Sequence, residues 1–258
     1  METIQVIPYP ILAGAIFSFG LAVGSFANVC IYRLPRKESV VVPGSHCPAC
    51  HSSVRPLDNI PLISYLILRG KCRNCAIRIS PIYPTIEAIT AVLMLAGLLK
   101  FGTSLEFLVH AVVATSLVII TAIDIEHQII PDVITLPGIA FGLIVGICTI
   151  GYKDSLLGLF LGGGLFYLLA VLSNGGMGGG DIKYIAAVGA LLGWQKVLLV
   201  IFIGAFLGSI VGLFLITIQK KSRKSTIPFG PFLAAGTLIT LFYGNSLIRV
   251  YLEYFGRS

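Results

Sequence analysis

Long apolar runs separated by short polar loops dominate this chain. A helix needs roughly 20 mainly apolar residues to cross a bilayer. Eight runs reach or approach that length, at about 11 to 31, 84 to 99, 105 to 123, 133 to 150, 155 to 172, 184 to 193, 197 to 218 and 230 to 247. The sixth is short and flanked by glycine, a form tolerated at membrane depth where protein buries it or where it lines a wet cavity. The pattern predicts an all-α polytopic membrane protein of about eight transmembrane helices with one sizeable polar insert. Its expected divisions are a first transmembrane helix (1–31), an insert (32–83) and a membrane-embedded core (84–258).

Composition sharpens this picture. The 258 residues are 56% hydrophobic and only 11% charged, with a mean hydropathy of +0.95, which excludes an ordinary soluble domain. Glu2, rather than a basic segment, precedes the first run, and that run is of spanning length, so it reads as a retained helix and not a cleaved signal. With the insert on the cytoplasmic side, 13 of the 18 lysines and arginines fall on that side, among them Arg33, Arg36, Arg55, Arg73, Lys183, Lys220 and Arg223. Lys100, Lys153, Lys196, Arg249 and Arg257 fall opposite. The positive-inside bias then places both termini outside. The formal charge of +7 is accounted for by basic loops on anionic membrane lipid and calls for no nucleic-acid partner.

The insert contains HCPAC and GKCRNC, which supply Cys47, Cys50, Cys72 and Cys75. Two C-x-x-C pairs 21 residues apart approximate the spacing at which two knuckles offer four thiolates to one Zn2+. The alternative is two disulfides, which a cytoplasmic, reducing location disfavours. Four protein ligands would close the site, so the metal is expected to fold the insert and not to perform chemistry. His46 and His51 flank the first pair, either as substitutes for a thiolate or as solvated neighbours. Cys30 and Cys148 lie alone in apolar runs and are expected to be small packing residues.

The third run ends AIDIEHQIIPD, residues 122 to 132. Carboxylates at the end of an apolar helix are costly to bury and are functional candidates. Asp124 lies deepest, Glu126 can reach the interface, and Asp132 stands where a helix N-cap is expected. A second acidic position lies in GGMGGGDIK, where five glycines precede or surround Asp181 within nine residues. Two full runs separate Asp124 from Asp181, so the chain crosses and returns, and both aspartates face the same side. One ends a helix and the other begins one, which lets them share a cavity. Two close carboxylates share a proton and split their titration, so one can activate water while its partner polarises a scissile carbonyl. Gly178 and Gly180 would allow positive φ and close approach of a substrate backbone. Lys183 either positions an aspartate or snorkels to the surface.

Taken in order, these segments resemble the type IV prepilin peptidase family, GxGD-type aspartic proteases of the bacterial inner membrane. GSFANVCIYRLP (24–35), HCPAC, DNIPLISYL (58–66), RGKCRNC, YPTIE (83–87), AIDIEHQIIPD, GMGGGDIK and PFGPFLAAG (228–236) follow the family's sequence of motifs across nearly the whole chain. The resemblance implies Asp124 and Asp181 as the catalytic pair, cleavage of the leader of type IV prepilins or type II secretion pseudopilins at the cytoplasmic face, and N-methylation of the new terminus with S-adenosylmethionine. It also assigns the cysteine-bearing insert to the methylating half. Ile82 departs from the arginine often found before Tyr83, which bears on methylation and not on cleavage. No glycine-rich methyl-donor motif is present. Competing classes are an ion-coupled transporter, for which the two halves show no internal repeat, and a zinc-stapled structural membrane protein without catalysis.

Overall fold

The expected runs appear as helices, and most extend past their apolar cores into charged ends. A computed structural model describes residues 8–173, 176–217 and 228–255. Among them are nine α-helices: α1 (Tyr9–Arg33), α2 (Ile63–Ile67), α3 (Ile82–Phe101), α4 (Leu105–His127), α5 (Asp132–Thr149), α6 (Tyr152–Leu172), α7 (Gly179–Leu192), α8 (Trp194–Thr217) and α9 (Gly230–Phe255). Seven are long and apolar enough to cross a membrane. The remaining expected span is α7, whose 14 residues are too few. Lys220, Lys221, Arg223, Lys224 and Arg257, used in the charge count, and Gly175 lie outside the described residues.

The chain forms two compact units that meet in sequence within α4, Met1–Ile119 and Ile120–Ser258. In the first unit, α1 and α3 pack at glycine: a Cβ on Gly20 would lie 2.6 Å from the Ala91 Cα, and one on Gly24 2.6 Å from the Glu87 Cα. His110 of α4 fills the notch left by Gly97 and meets the Leu93 carbonyl at 3.0 Å. Cys30 is buried in α1, as expected of a packing residue.

Buried polar groups secure the insert to these helices. Arg33 donates to the carbonyls of Ser39 and Pro43 at 2.8 and 2.6 Å, turning the chain directly after α1. Asn28 donates to the Tyr83 carbonyl at 3.0 Å, and the Leu62 N–H donates to Glu87 Oε2 at 2.8 Å. A fork-to-fork pair between Arg73 and Asp58, at 2.8 and 2.6 Å, ties the 3-10 turn Pro56–Asn59 to the second cysteine knuckle and holds the Asp58 carboxyl below the usual carboxylate range. Such paired hydrogen bonds fix geometry as well as charge.

In the second unit the short helix α7 is enclosed by α5, α6, α8 and α9. Its contact with α5 and α6 is backbone against backbone. A Cβ on Gly142 would lie 2.6 Å from the Ala187 carbonyl oxygen, on Gly146 2.1 Å from that of Ala190, and on Gly158 2.1 Å from that of Gly189. The Ser155 hydroxyl donates to the Ala190 carbonyl at 2.7 Å. Glycines four apart (142 and 146; 158 and 162) thus form the small-residue faces that let helices approach closely in a membrane. Tyr184 reaches α9 through a 2.6 Å hydrogen bond with Thr237. Cys148, expected to pack, is instead exposed on α5, because its helix turns Gly142 and Gly146 towards α7.

The glycine contact generates a prediction. Gly158→Ala should lower the thermal midpoint of the detergent-solubilised protein by about 5 °C or more, because the new methyl meets main chain that cannot yield, and overpacking costs about 1–3 kcal/mol. Gly164→Ala, on the same helix with nothing within 4 Å of its Cβ, should leave the midpoint unchanged. Differential scanning fluorimetry of the two variants tests the contrast.

Candidate active site and metal centre

Asp124 and Asp181 come to one end of the second unit. The first lies in the last turn of α4 and the second in the first turn of α7. Asp124 is buried and Asp181 half-buried, and the charge of Asp124 acts on Asp181. The helix-end geometry expected from sequence is therefore present: α4 continues through Asp124 to His127 instead of stopping with its apolar run, while α7 starts only two residues before Asp181.

A third element enters this end of the unit. The N–H of Gly230, the first residue of α9, donates to Asp124 Oδ2 at 2.8 Å. Helix N-termini carry unpaired N–H groups and a partial positive charge, which makes them natural partners of a carboxylate. Both aspartates thus sit at the start of a helix, Asp181 on α7 and Asp124 facing α9. Sequence reasoning registered PFGPFLAAG only as a motif and missed Gly230 as a partner. The available signal was a glycine between two prolines at the start of an apolar run. A Cβ at 230 would stand 2.7 Å from Asp124 Oδ2, so the close approach requires glycine.

The other glycines act differently from the expectation. Gly178 is the N-cap of α7 at φ −70°, ψ 139°, and neither it nor Gly180 adopts positive φ. Extended and helical backbone suffice at these positions; what they require is space. A Cβ on Gly180 would come 2.8 Å from the Ile130 Cβ, and one on Gly178 3.2 Å from Asp181 Oδ2.

Asp132 also differs from its expected role. Pro131 occupies the N-cap and Asp132 is the first helical residue, because the extended proline (φ −66°, ψ 132°) places the chain one residue earlier. The Asp132 carboxylate instead receives Lys183 at 2.6 and 2.7 Å. Lys183 therefore pairs with Asp132 in a largely exposed ion pair, the kind that contributes little stability. Glu126 is 62% exposed in its side chain and reaches out, as expected.

In the insert, the sulfurs of Cys47, Cys50, Cys72 and Cys75 all lie within 4.8 Å of one another, and Cys47 Sγ stands 3.8 Å from Cys75 Sγ. A tetrahedral thiolate site with Zn–S of about 2.3 Å requires S···S of about 3.8 Å, so the donor set fits. All six cysteines are free thiols, which leaves the disulfide alternative without support.

The two knuckles repeat one hydrogen-bond scheme. The N–H of Cys47 donates to the Ser52 carbonyl and that of Cys72 to Ile77; His51 donates to Cys47 and Ala76 to Cys72. His51 and Ala76 occupy the same position after each pair, with φ of 55° and 57°. Hydrogen bonds from the Ser52 side chain and backbone pull the Cys50 thiol down to about 6. Cys75 is pushed up to about 11, the pull of the Ile77 amide being outweighed by desolvation and the neighbouring sulfurs. Crowded sulfur charge of this kind is what a dication relieves. His46 and His51 stack on each other 6.2 Å apart and stand outside the sulfur cluster.

Comparison with known proteins covers both units. The sequence profile of the Bacterial Peptidase A24 N-terminal domain matches residues 18–101, and that of the Type IV leader peptidase family matches residues 111–213. A prepilin leader peptidase/N-methyltransferase of Legionella pneumophila is 37% identical, over 92% of this chain and 93% of that protein. Proteins of the same description are 36% identical in Bacillus subtilis (strain 168), over 92% and 97% of the two chains, and 34% identical in Pseudomonas aeruginosa, over 92% of each. No solved structure matches the chain. With identity at this level running from α1 to α9, the chain belongs to the Type IV leader peptidase family.

Proposed function

We propose that this protein removes the leader peptide of type IV prepilins or type II secretion pseudopilins with Asp124 and Asp181, and then methylates the new N-terminal amine with S-adenosylmethionine. The observation that carries the proteolytic half is the approach of the two carboxylates at one end of the second unit, with the Gly230 N–H on Asp124. That N–H can only donate, so Asp124 Oδ2 is an acceptor and the proton shared by the pair rests among the remaining oxygens. The ionised group takes a proton from water as the water attacks the scissile carbonyl, and the protonated one donates to the carbonyl oxygen. Gly180 lets the start of α7 close against Ile130, and Gly178 keeps the N-cap clear of the Asp181 carboxylate, so both support the position of Asp181. Lys183 holds Asp132 and, through it, the relation of α7 to the start of α5.

The methylating half is supported by the names of the full-length relatives and by the four-cysteine insert. Zn2+ is the metal that four thiolates at this spacing suit best. It would tie the two knuckles together and take no part in chemistry. The basic residues of the insert and Lys183 favour a cytoplasmic position for the insert and for both aspartates; termini that both lie outside require the segment that carries α7 to complete a crossing its 14 helical residues do not make alone.

Asp124→Asn and Asp181→Asn should each abolish cleavage of a prepilin peptide, and the double variant should be about as inactive as either single one, because groups acting as a unit fail together. Asp132→Asn and Glu126→Gln should retain substantial cleavage. A folded Asp124→Asn protein that cleaves at near wild-type rate would overturn the aspartyl assignment, and an inactive Glu126→Gln beside an active Asp124→Asn would move it to Glu126.

Freshly purified protein should contain one zinc per chain by plasma mass spectrometry. Cys47→Ser or Cys72→Ser should lower that content and raise protease sensitivity within residues 39–80 while affecting methylation more than cleavage. Wild-type protein without zinc would rule out the metal assignment.

A further inference from the structure

Within the first unit a cavity of about 450 Å³ lies between α1, the insert and the start of α3. That volume falls in the range of about 300–1,000 Å³ typical of small-molecule sites. Most buried polar groups on its walls are occupied: Arg33 is committed to backbone carbonyls and Asn28 to the Tyr83 carbonyl. Glu87 differs. It is only 8% exposed, lines the cavity and accepts hydrogen bonds from the Leu62 N–H and the Ser25 side chain, yet it forms no ion pair among the described residues, although Arg55 and Arg78 line the same walls. A buried carboxylate without a cation is costly, and one at the membrane end of an apolar helix is a candidate for function. Tyr65 and Tyr83 supply aromatic surface on the same walls, to which a purine can stack.

We propose that this cavity is the methyl-transfer site, binding the cationic sulfonium donor together with the amine acceptor, and that Glu87 faces both and accepts the amine's proton. The inference rests on the N-methylation half of the function proposed above. An α-amine is mostly protonated near neutrality and has no lone pair to offer in that form. The ammonium passes one proton to the Glu87 carboxylate. The freed nitrogen lone pair then bonds to the methyl carbon as the carbon–sulfur bond breaks, and that pair stays on sulfur. The products are the methylated ammonium and neutral S-adenosylhomocysteine, and Glu87 returns its proton to water. Glu87 is the carboxylate on these walls that no arginine pairs with, so it is the group that can face the sulfonium and the entering ammonium, while Arg55 and Arg78 on the same walls can take the donor's own carboxylate. Position fits as well, since Glu87 lies in the second turn of α3, at the edge of the span where a membrane-anchored acceptor would present its amine.

The test uses the full chain in nanodiscs with radiolabelled S-adenosylmethionine. Ultraviolet crosslinking of wild-type protein followed by peptide mapping should place label within residues 25–33, 45–55 or 58–87; label confined to other peptides overturns the site. Val29→Phe, which fills the cavity from α1, should weaken donor binding in equilibrium dialysis at least tenfold, and wild-type binding by that variant also overturns it. Glu87→Gln keeps the acceptor for the Leu62 N–H. At saturating donor it should lower the rate of methylation of a pre-cleaved peptide by about 100-fold, while donor affinity falls far less; a wild-type rate removes Glu87 as the proton acceptor. Wild-type protein that neither binds the donor nor methylates the peptide overturns N-methylation itself, which separates failure of that reading from failure of the site.

Discussion

A helix of 14 residues is about 21 Å long, whereas the hydrocarbon core is about 30 Å thick. Such a helix cannot present both ends to water from within lipid, and its terminal N–H and C=O groups must find partners in protein. Much of the second unit follows from this constraint on α7. The glycine faces of α5 and α6 bring main chain against main chain and shield it, and Ser155 satisfies the Ala190 carbonyl near its C-terminal end. Asp181 stands in the first turn of this short helix.

The same economy governs the end of α4. Asp124 leaves an apolar helix into a place where water is scarce, and the polar group that meets it is backbone. Donation from the start of α9 satisfies one oxygen without adding a side chain or a net charge. An arginine or lysine there would fix the carboxylate in one ionised state, and a proton could no longer be shared with its neighbour. In the insert the opposite solution applies: four sulfurs crowd together in an arrangement that could hold a metal ion as the balancing charge.

The helices were legible as apolar runs, and the charged ends of α4 and α9 were not, since hydropathy stops where charge begins while backbone hydrogen bonding does not. Asp124, Asp181 and the four cysteines stood out because acid and thiol are conspicuous against so apolar a background. The role of Gly230 did not, because its contribution is an N–H that every residue except proline possesses. The four-residue spacing of Gly142 and Gly146 and of Gly158 and Gly162 stands in the sequence, but that these faces meet α7 is seen only in the structure. The pairing of Lys183 with Asp132, and the lack of an ion-pair partner for Glu87 among the described residues, depend on which elements become neighbours and could be found only in three dimensions.

The contact at Gly230 has a bearing on how variation at this position should be understood. Its useful atom belongs to the main chain and its side chain is nothing at all, so the amino-acid letter records permission to approach and not the group that makes contact. Any larger residue except proline retains the donor but pushes Asp124 away. A tally of substitutions would therefore mark position 230 as intolerant while every tolerated or rejected side chain misreported the cause. Information about the ionic state of a carboxylate is here stored in the absence of a carbon atom, 106 residues away from the acid it governs.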